Sequence, residues 1–395
     1  MRAVRRLLKT GVALAASTGG IDSWRRASRV PGTPAIICHH RVMPESAWSD
    51  GIIRPMLLSP RSFARQLDWL ARHYRFVSLE ALDQETARNG KPAAAITFDD
   101  GYADVYQYAF PLLAERGIPA TVFVISDLAG TTEAPLHDRL YVLLSAWWQQ
   151  HSQPARGLRA LLEHTGVRPS PPAGNKVGAL ETMRALLTSL PLSELRAVAD
   201  SLARRTRVDD SAWECFRLAD WDMLREMRAG GISIGSHTRN HALLPNEPDA
   251  VLENELRGSR HVLEERLDAR VELLAYPDGR FDRRVVRAVA AAGYRFAFTC
   301  CSHRDPEYPD LTIPRRHIWE NCCLGLSGRF SPRMASCQVE GVFDFFRPCR
   351  QGHAAEARPA SVRALSRQTA AIDAPIAGVQ GPAGLIRPGE KAAAR

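Results

Sequence analysis

Two acidic residues stand side by side at Asp99 and Asp100, after the apolar run Ala93 to Phe98 and before Gly101. A run of that length reads as a buried strand. In parallel α/β folds catalytic groups gather at the C-terminal ends of strands, which is where this pair falls. Adjacent carboxylates leave a strand in different directions and can divide labour, one ligating a cation and the other staying free as a base. Either can also serve simply to cap the following helix. In the second segment, GGISIGSHTRNH, a strand Ile232 to Gly235 ends at Ser236 and delivers His237, with His241 four residues on. If the chain turns into a helix there, both imidazoles share one face and can bind one metal, although many such pairs are only solvated helix faces. Two His and one carboxylate form a ligand set used by catalytic zinc sites with an open position, here with a spare Asp beside it.

The elements that must position these residues alternate along the chain. Strands are expected at Ala35 to Cys38, Phe76 to Leu79, Ala93 to Phe98, Ala120 to Ile125, Ile232 to Gly235, Val271 to Tyr276 and Phe296 to Cys300. Helices are expected from Ser59-Pro60 through Leu70, then at Ala103 to Arg116, Asp220 to Arg228, Ala250 to Leu267 and Arg283 to Ala292. Strand and helix in turn imply parallel pairing, as a barrel or a doubly wound sheet. From about Gly130 to Val208 the text becomes mostly helical, with breakers at Pro169, Pro171 and Pro172, and reads as an insertion. Three regions follow: a basic segment 1–30, a catalytic body 31–346 holding the insertion at about 130–208, and a tail 347–395. The tail has no aromatics, is rich in Ala, Arg, Pro and Gly, and is expected to be disordered.

TFDDG at Thr97 to Gly101 and H-[ST]-x-x-H at His237 to His241 resemble the first two motifs of the polysaccharide deacetylases, the NodB-homology or carbohydrate esterase family 4 enzymes. The resemblance runs from about Ile36 to Ile318. It implies an α/β fold of the distorted (β/α)7-type barrel kind, here with a helical insertion. It also implies a divalent metal held by Asp100, His237 and His241, with Asp99 as the base that activates water. Such an ion polarises an amide carbonyl and lowers the pKa of bound water to about 7. Zn²⁺ is the first expectation, and Co²⁺ or Ni²⁺ accept the same ligands.

Leu274 to Gly279 (LAYPDG) is similar to the third motif of the family, with two departures. Ala275 stands where the family often has an Arg that tunes the catalytic Asp, and Asp278 replaces the usual Tyr. The loop Tyr276, Pro277, Asp278 and Gly279 is still expected to line the substrate and to offer a backbone N–H to the oxyanion. Cys38-His39-His40-Arg41-Val42 resembles a Tyr-His-Arg-Val element of one branch, which turns His40 towards the site. The leaving amine needs a proton, and His40 and His317 are both candidates to supply it. Trp319, Trp147, Trp148 and Tyr102 are candidate stacking surfaces for a sugar ring, Tyr102 as a wall beside the aspartates.

The formal net charge of +9 comes from 52 Lys and Arg against 43 Asp and Glu, scattered without an aromatic-interleaved basic stripe, which argues against a dedicated nucleic-acid binder. The densest basic cluster is Arg2, Arg5, Arg6 and Lys9. As a helix this opening places Val4, Leu7, Leu8, Val12 and Leu14 largely opposite the charges, an arrangement suited to peripheral contact with a membrane surface. Eight cysteines without a C-x-x-C fit a reducing compartment, cytoplasmic or at the inner face of a membrane, with export left open. The expected activity is metal-dependent removal of N-acetyl groups from amino sugars of a glycan or glycolipid. The rivals are a catalytically inactive glycan-binding barrel and a non-haem iron oxygenase, whose facial triad is also two His and one carboxylate. The spare base Asp99 separates hydrolysis from oxygen chemistry.

Overall fold

The apolar runs become the staves of a parallel barrel in the computed structural model of the chain, which describes residues 2–28, 33–84, 90–164, 178–346 and 349. The staves are β1 (Ala35–His39), β2 (Ala93–Phe98), β3 (Ala120–Val124), β4 (Ile232–Ser236), β5 (Leu273–Ala275), β6 (Phe296–Thr299), β7 (Ile313–Pro314) and β8 (Arg316–His317). Each pairs in parallel with the next from β1 to β7. The ring closes within five residues, because β7 pairs with β6 and β8 pairs with β1, with Cys38 opposite His317. The Arg315 N–H donates to Thr299 O at 2.8 Å and the Ile318 N–H to Cys38 O at 2.9 Å, so this segment bonds to both neighbours. The architecture is the expected distorted α/β barrel.

The period of two along a strand sorts side chains to its two faces. Ala93 and Ala95 of β2 join one cluster with Ile36, Phe123, Leu273, Ala275, Phe296, Phe298 and Ile313. Ala94, Ile96 and Phe98 join the larger cluster packed under the helices. Asp220 and Asp282 start helices Trp221–Ala229 and Arg283–Ala291 by accepting from the N–H of Met223 at 2.9 Å and Val285 at 2.8 Å.

The insertion packs helices Leu136–Gln150, Pro154–His164, Ala179–Ser189 and Leu192–Ala203 around Leu140, Leu144, Trp147, Leu186, Val198 and Leu202, in a core that Ile53, Met56, Tyr102 and Leu218 of the body join. Residues 165–177, which hold the three expected prolines, lie outside the described residues, as does all of the expected tail except Cys349. Two helices, α1 (Arg2–Thr18) and α2 (Ile21–Ala27), precede the barrel.

Two expectations need correction. The strand expected at Phe76 to Leu79 is only Arg75–Phe76, paired with the start of β2. Ser78 Oγ then accepts from the Glu80 N–H at 3.2 Å, and this local bond turns the chain into a 3-10 helix. His237 to His241 is a turn rather than a helix, with Thr238 and His241 in the left-handed region.

Candidate active site

The strand periodicity carries past the end of β2. Ala93, Ala95, Thr97 and Asp99 share one parity, as do Ile36 and Cys38 of β1 with His40 just past its end, and Ile313, Arg315 and His317 across the closing segment. Cys38, Asp99, His40 and Arg315 accordingly meet at the C-terminal mouth of the barrel. Arg315 grips Asp99 with both arms, NH1 to Oδ1 at 2.6 Å and NH2 to Oδ2 at 2.7 Å, and NH1 also reaches Thr97 Oγ1 at 3.2 Å. Burial pushes the Asp99 carboxyl up, but the Arg315 charge outweighs it and holds the group well below the ordinary carboxylate range. The arginine that bonds Asp99 thus comes not from the Ala275 position but from Arg315, between β7 and β8.

Asp100 has the opposite environment. Its φ is +70°, and Gly101 follows at +80° with its Cα facing Val124, where a Cβ would come within 3.3 Å of Val124 Cγ2. The tight turn lowers the carboxylate onto the two histidines, with Oδ1 at 3.5 Å from His237 Nε2 and 3.4 Å from His241 Nε2. Neither Asp100 oxygen has a hydrogen-bond partner, so neither aspartate caps a helix. Burial and the neighbouring Asp99 and Asp138 push the Asp100 carboxyl well up. His237 Nδ1 lies 2.8 Å from Ala275 O; donation there fixes the tautomer and leaves the Nε2 lone pair facing Asp100. Burial lowers His237 to about 4 and His241 well below the ordinary value, so both are neutral.

A buried, unpartnered carboxylate ringed by imidazole lone pairs is a donor set that fits a divalent cation. Cys38, His40 and Asp99 also bring one donor atom each within 4.8 Å of one another. There Asp99 is already bonded by the Arg315 fork, so the first set fits a cation better. The turn that carries His241 is held by Glu255, whose Oε2 accepts from the N–H of Arg239 and of Asn240, both at 2.9 Å. Four of the five non-glycine residues with positive φ among those described are Asp100, Thr238, His241 and Asp278, all at the mouth of the barrel.

The remaining expected residues divide. The rings of His40 and His317 meet at a tilt of 58° with centroids 4.7 Å apart, and His317 is 5.1 Å from Trp319. Burial lowers His40 to about 3 and His317 well below the ordinary value, so both rest as neutral imidazoles. Tyr102 offers no face to a sugar: it is fully buried, with the Arg41 guanidinium 4.4 Å from its ring centre and its phenol donating to Asp138. Trp147 belongs to the insertion core, whereas Trp319 is half-buried beside His317.

The third-motif loop is also more structural than expected. Tyr276 is buried and donates its hydroxyl to Leu311 O at 2.7 Å. Its N–H bonds Phe298 O and the Gly279 N–H bonds Tyr276 O, so neither amide is an oxyanion donor, and Pro277 has no N–H. Asp278 is exposed, at φ +53°.

Two residues at the site were not anticipated. Arg315 lies in the segment IPRRHI with His317, and its strand parity with Ile313 is the signal that finds it. His137, from the first turn of insertion helix Leu136–Gln150, places Nε2 4.0 Å from Asp100 Oδ2 and 3.1 Å from the Tyr102 hydroxyl. Together with Asp100 and His241 it forms a second three-residue donor set around the same carboxylate.

The sequence matches the family model described as polysaccharide deacetylase over residues 86–297, more than half of the chain. Among curated proteins it is 20% identical over 243 residues to a putative polysaccharide deacetylase, YxkH, of Bacillus subtilis strain 168, covering 60% of this chain and 57% of that protein. It is 24% identical over 220 residues to the poly-beta-1,6-N-acetyl-D-glucosamine N-deacetylase of Staphylococcus epidermidis, covering 53% of this chain and 73% of that one. The chain therefore spans less than two thirds of the Bacillus relative. Solved structures with a similar fold include the Streptococcus pyogenes deacetylase PplD in complex with acetate, at 18% identity and a TM-score of 0.47 over 76% of this chain and 97% of that one. Another is IcaB from Ammonifex degensii, at 19% and 0.46 over 78% and 97%.

Proposed function

Because the chain belongs to the polysaccharide deacetylase family, we propose that it removes N-acetyl groups from amino sugars of a glycan or glycolipid by metal-dependent hydrolysis. The observation that carries this reading is the pairing of two unlike aspartates: Asp100 unbonded between His237 and His241, and Asp99 ionised in the fork of Arg315. One carboxylate suits cation binding and the other suits proton transfer.

Asp100, His237 and His241 hold the ion, with Zn²⁺ favoured and Co²⁺ or Ni²⁺ as alternatives. When bound it supplies Lewis acidity to the acetamide carbonyl and to the attacking water. Asp99 accepts the water proton at an oxygen lone pair left over from the Arg315 fork, since a carboxylate offers about four such sites. Arg315 orients that carboxylate and keeps it ionised before each turnover. In this reading His40 and His317, whose rings lie against each other, relay a proton to the departing amine, each having one ring N–H to give and one ring nitrogen to refill. Trp319 offers a sugar-ring face at the same edge. Hydrolysis uses the spare base, whereas an oxygenase triad has no task for it.

The test is acetate release from a panel of N-acetylated oligosaccharides and glycolipids by metal-reconstituted protein, with a chelator control. Release that stops with chelation and returns with metal is expected; release unaffected by complete metal removal contradicts the proposal.

A further inference from the structure

Large apolar side chains left in solvent concentrate in one place. Leu7, Leu8, Leu14, Ile21 and Trp24 are 47–67% exposed and all lie on α1 and α2, while Tyr108 and Leu326 are isolated elsewhere among the described residues. Scattered exposed leucines are ordinary, but five large exposed apolar residues on one two-helix unit are not.

The unit is fastened to the barrel by its other side. Ala13 and Ala16 of α1 are buried against Met334, Cys337 and Phe343. Leu7 and Leu14, seven residues apart, share the side turned away. On α2, Arg26 bonds Glu340 Oε1 at 3.1 Å and Ser336 Oγ at 2.7 Å, and Arg25 bonds Glu340 O at 2.9 Å. Small and polar groups face the protein, and the large apolar groups face out.

Arg25 and Arg26 are taken up by Glu340, but α1 by itself carries Arg2, Arg5, Arg6 and Lys9 and no acidic residue, so the unit is net basic. A segment with that net charge disfavours pairing with a second copy of itself and favours an anionic partner. No described helix is long and apolar enough to cross a membrane. Leucines and a tryptophan beside Lys and Arg, on helices that lie on the surface, match the headgroup boundary of an anionic bilayer, where apolar groups enter and the charges meet lipid phosphates.

We propose that α1 and α2 form a two-helix platform that seats the barrel on an anionic lipid surface. Because the platform is bonded to helix Pro332–Val339 and to Glu340, it fixes the orientation of the catalytic body instead of tethering it loosely. This inference stands apart from the proposed chemistry and survives or fails independently of it.

The experiment is co-sedimentation of the full chain with vesicles of phosphatidylcholine alone or mixed with phosphatidylglycerol, at low and high salt. The variant Leu7→Ser/Leu14→Ser/Trp24→Ser is run beside the wild type, with circular dichroism and the thermal midpoint checking that it folds. The wild type should bind the phosphatidylglycerol vesicles and be released by salt, and the variant should bind at least roughly tenfold more weakly. Brominated lipid should quench wild-type fluorescence more than that of Trp24→Phe, which keeps the other seven tryptophans. Equal partitioning of folded wild type and variant overturns the proposal. So does a wild-type dimer that the variant dissociates, which would make this face a contact between copies.

Discussion

Arg315 bonds both oxygens of Asp99, at 2.6 and 2.7 Å, from the segment that closes the barrel rather than from the third motif. A buried two-armed contact fixes the plane of a carboxylate as well as its charge, which a lysine cannot do.

Replacing that fork should therefore lower turnover without unloading the ion site. Arg315→Lys is expected to reduce kcat/KM roughly 10- to 100-fold while metal content stays stoichiometric. In Arg315→Met, burial acts on Asp99 without the opposing cation, so its pKa rises and the acid limb of the rate profile moves to higher pH. A pH–rate profile superimposable on the wild type would remove the positioning role.

His137 ties the insertion to the ion site. Its Nε2 lies 4.0 Å from Asp100 Oδ2 and it packs against His241 with centroids 4.6 Å apart. His137→Ala should weaken Co²⁺ or Zn²⁺ binding roughly 10- to 100-fold, measured by competition with a chromophoric chelator. Unchanged affinity would show that the insertion only walls the site.

Acid should destabilise the metal-free fold. Burial lowers His39 from 6.5 to about 4 and His137 to about 3. Above pH 6.5 both are neutral in either state; as pH falls below it, the unfolded chain takes up protons that the folded chain refuses. Asp138 opposes them: burial raises it from 3.8 to about 6 despite Arg41, so its contribution is lost as pH rises through that range. His40, His237, His241 and His317 are lowered by burial in the same way, and Asp100, Asp104 and Glu247 are raised with Asp138; the histidines outnumber the opposing carboxyls, so stability falls as pH drops from about 6 towards 4. Thermal midpoints should fall over this window, and a flat or rising series would contradict the balance.

Arg41 is the structural counterpart of Arg315. It is buried, pairs with Asp104 at 2.8 Å, and lies over Tyr102. Asp104 in turn accepts from the Val42 N–H at 3.1 Å. Arg41→Ala strands a buried carboxylate and should cost about 3–5 kcal/mol in urea denaturation. A loss below about 1 kcal/mol would mean that Asp104 is otherwise satisfied.

The sequence pointed to the aspartates because an uninterrupted apolar run, Ala93 to Phe98, ends on them, and to the histidines because a short strand leads into His237. The local route to His241 is not legible: spacing of four suggests a helix, whereas the left-handed residues Thr238 and His241 make a turn held by the distant Glu255. The closing staves carry no signal in the sequence because two-residue strands that include Pro314 and adjoin arginines form no apolar run, and Arg315 is hidden with them. His137 sits on a helix whose periodicity speaks only of the insertion core, and its approach to Asp100 is a purely tertiary fact. Tyr102 was misplaced by sequence proximity, since the turn at Gly101 sends its ring inward under Arg41.

The most direct measurement compares Asp99→Asn with Asp100→Asn, reading bound metal and acetate release on the same samples. Asp99→Asn should keep stoichiometric metal and release no acetate, and Asp100→Asn should lose both. Acetate release at the wild-type rate by Asp99→Asn, or full metal retention by Asp100→Asn, would contradict the division of labour between the two carboxylates.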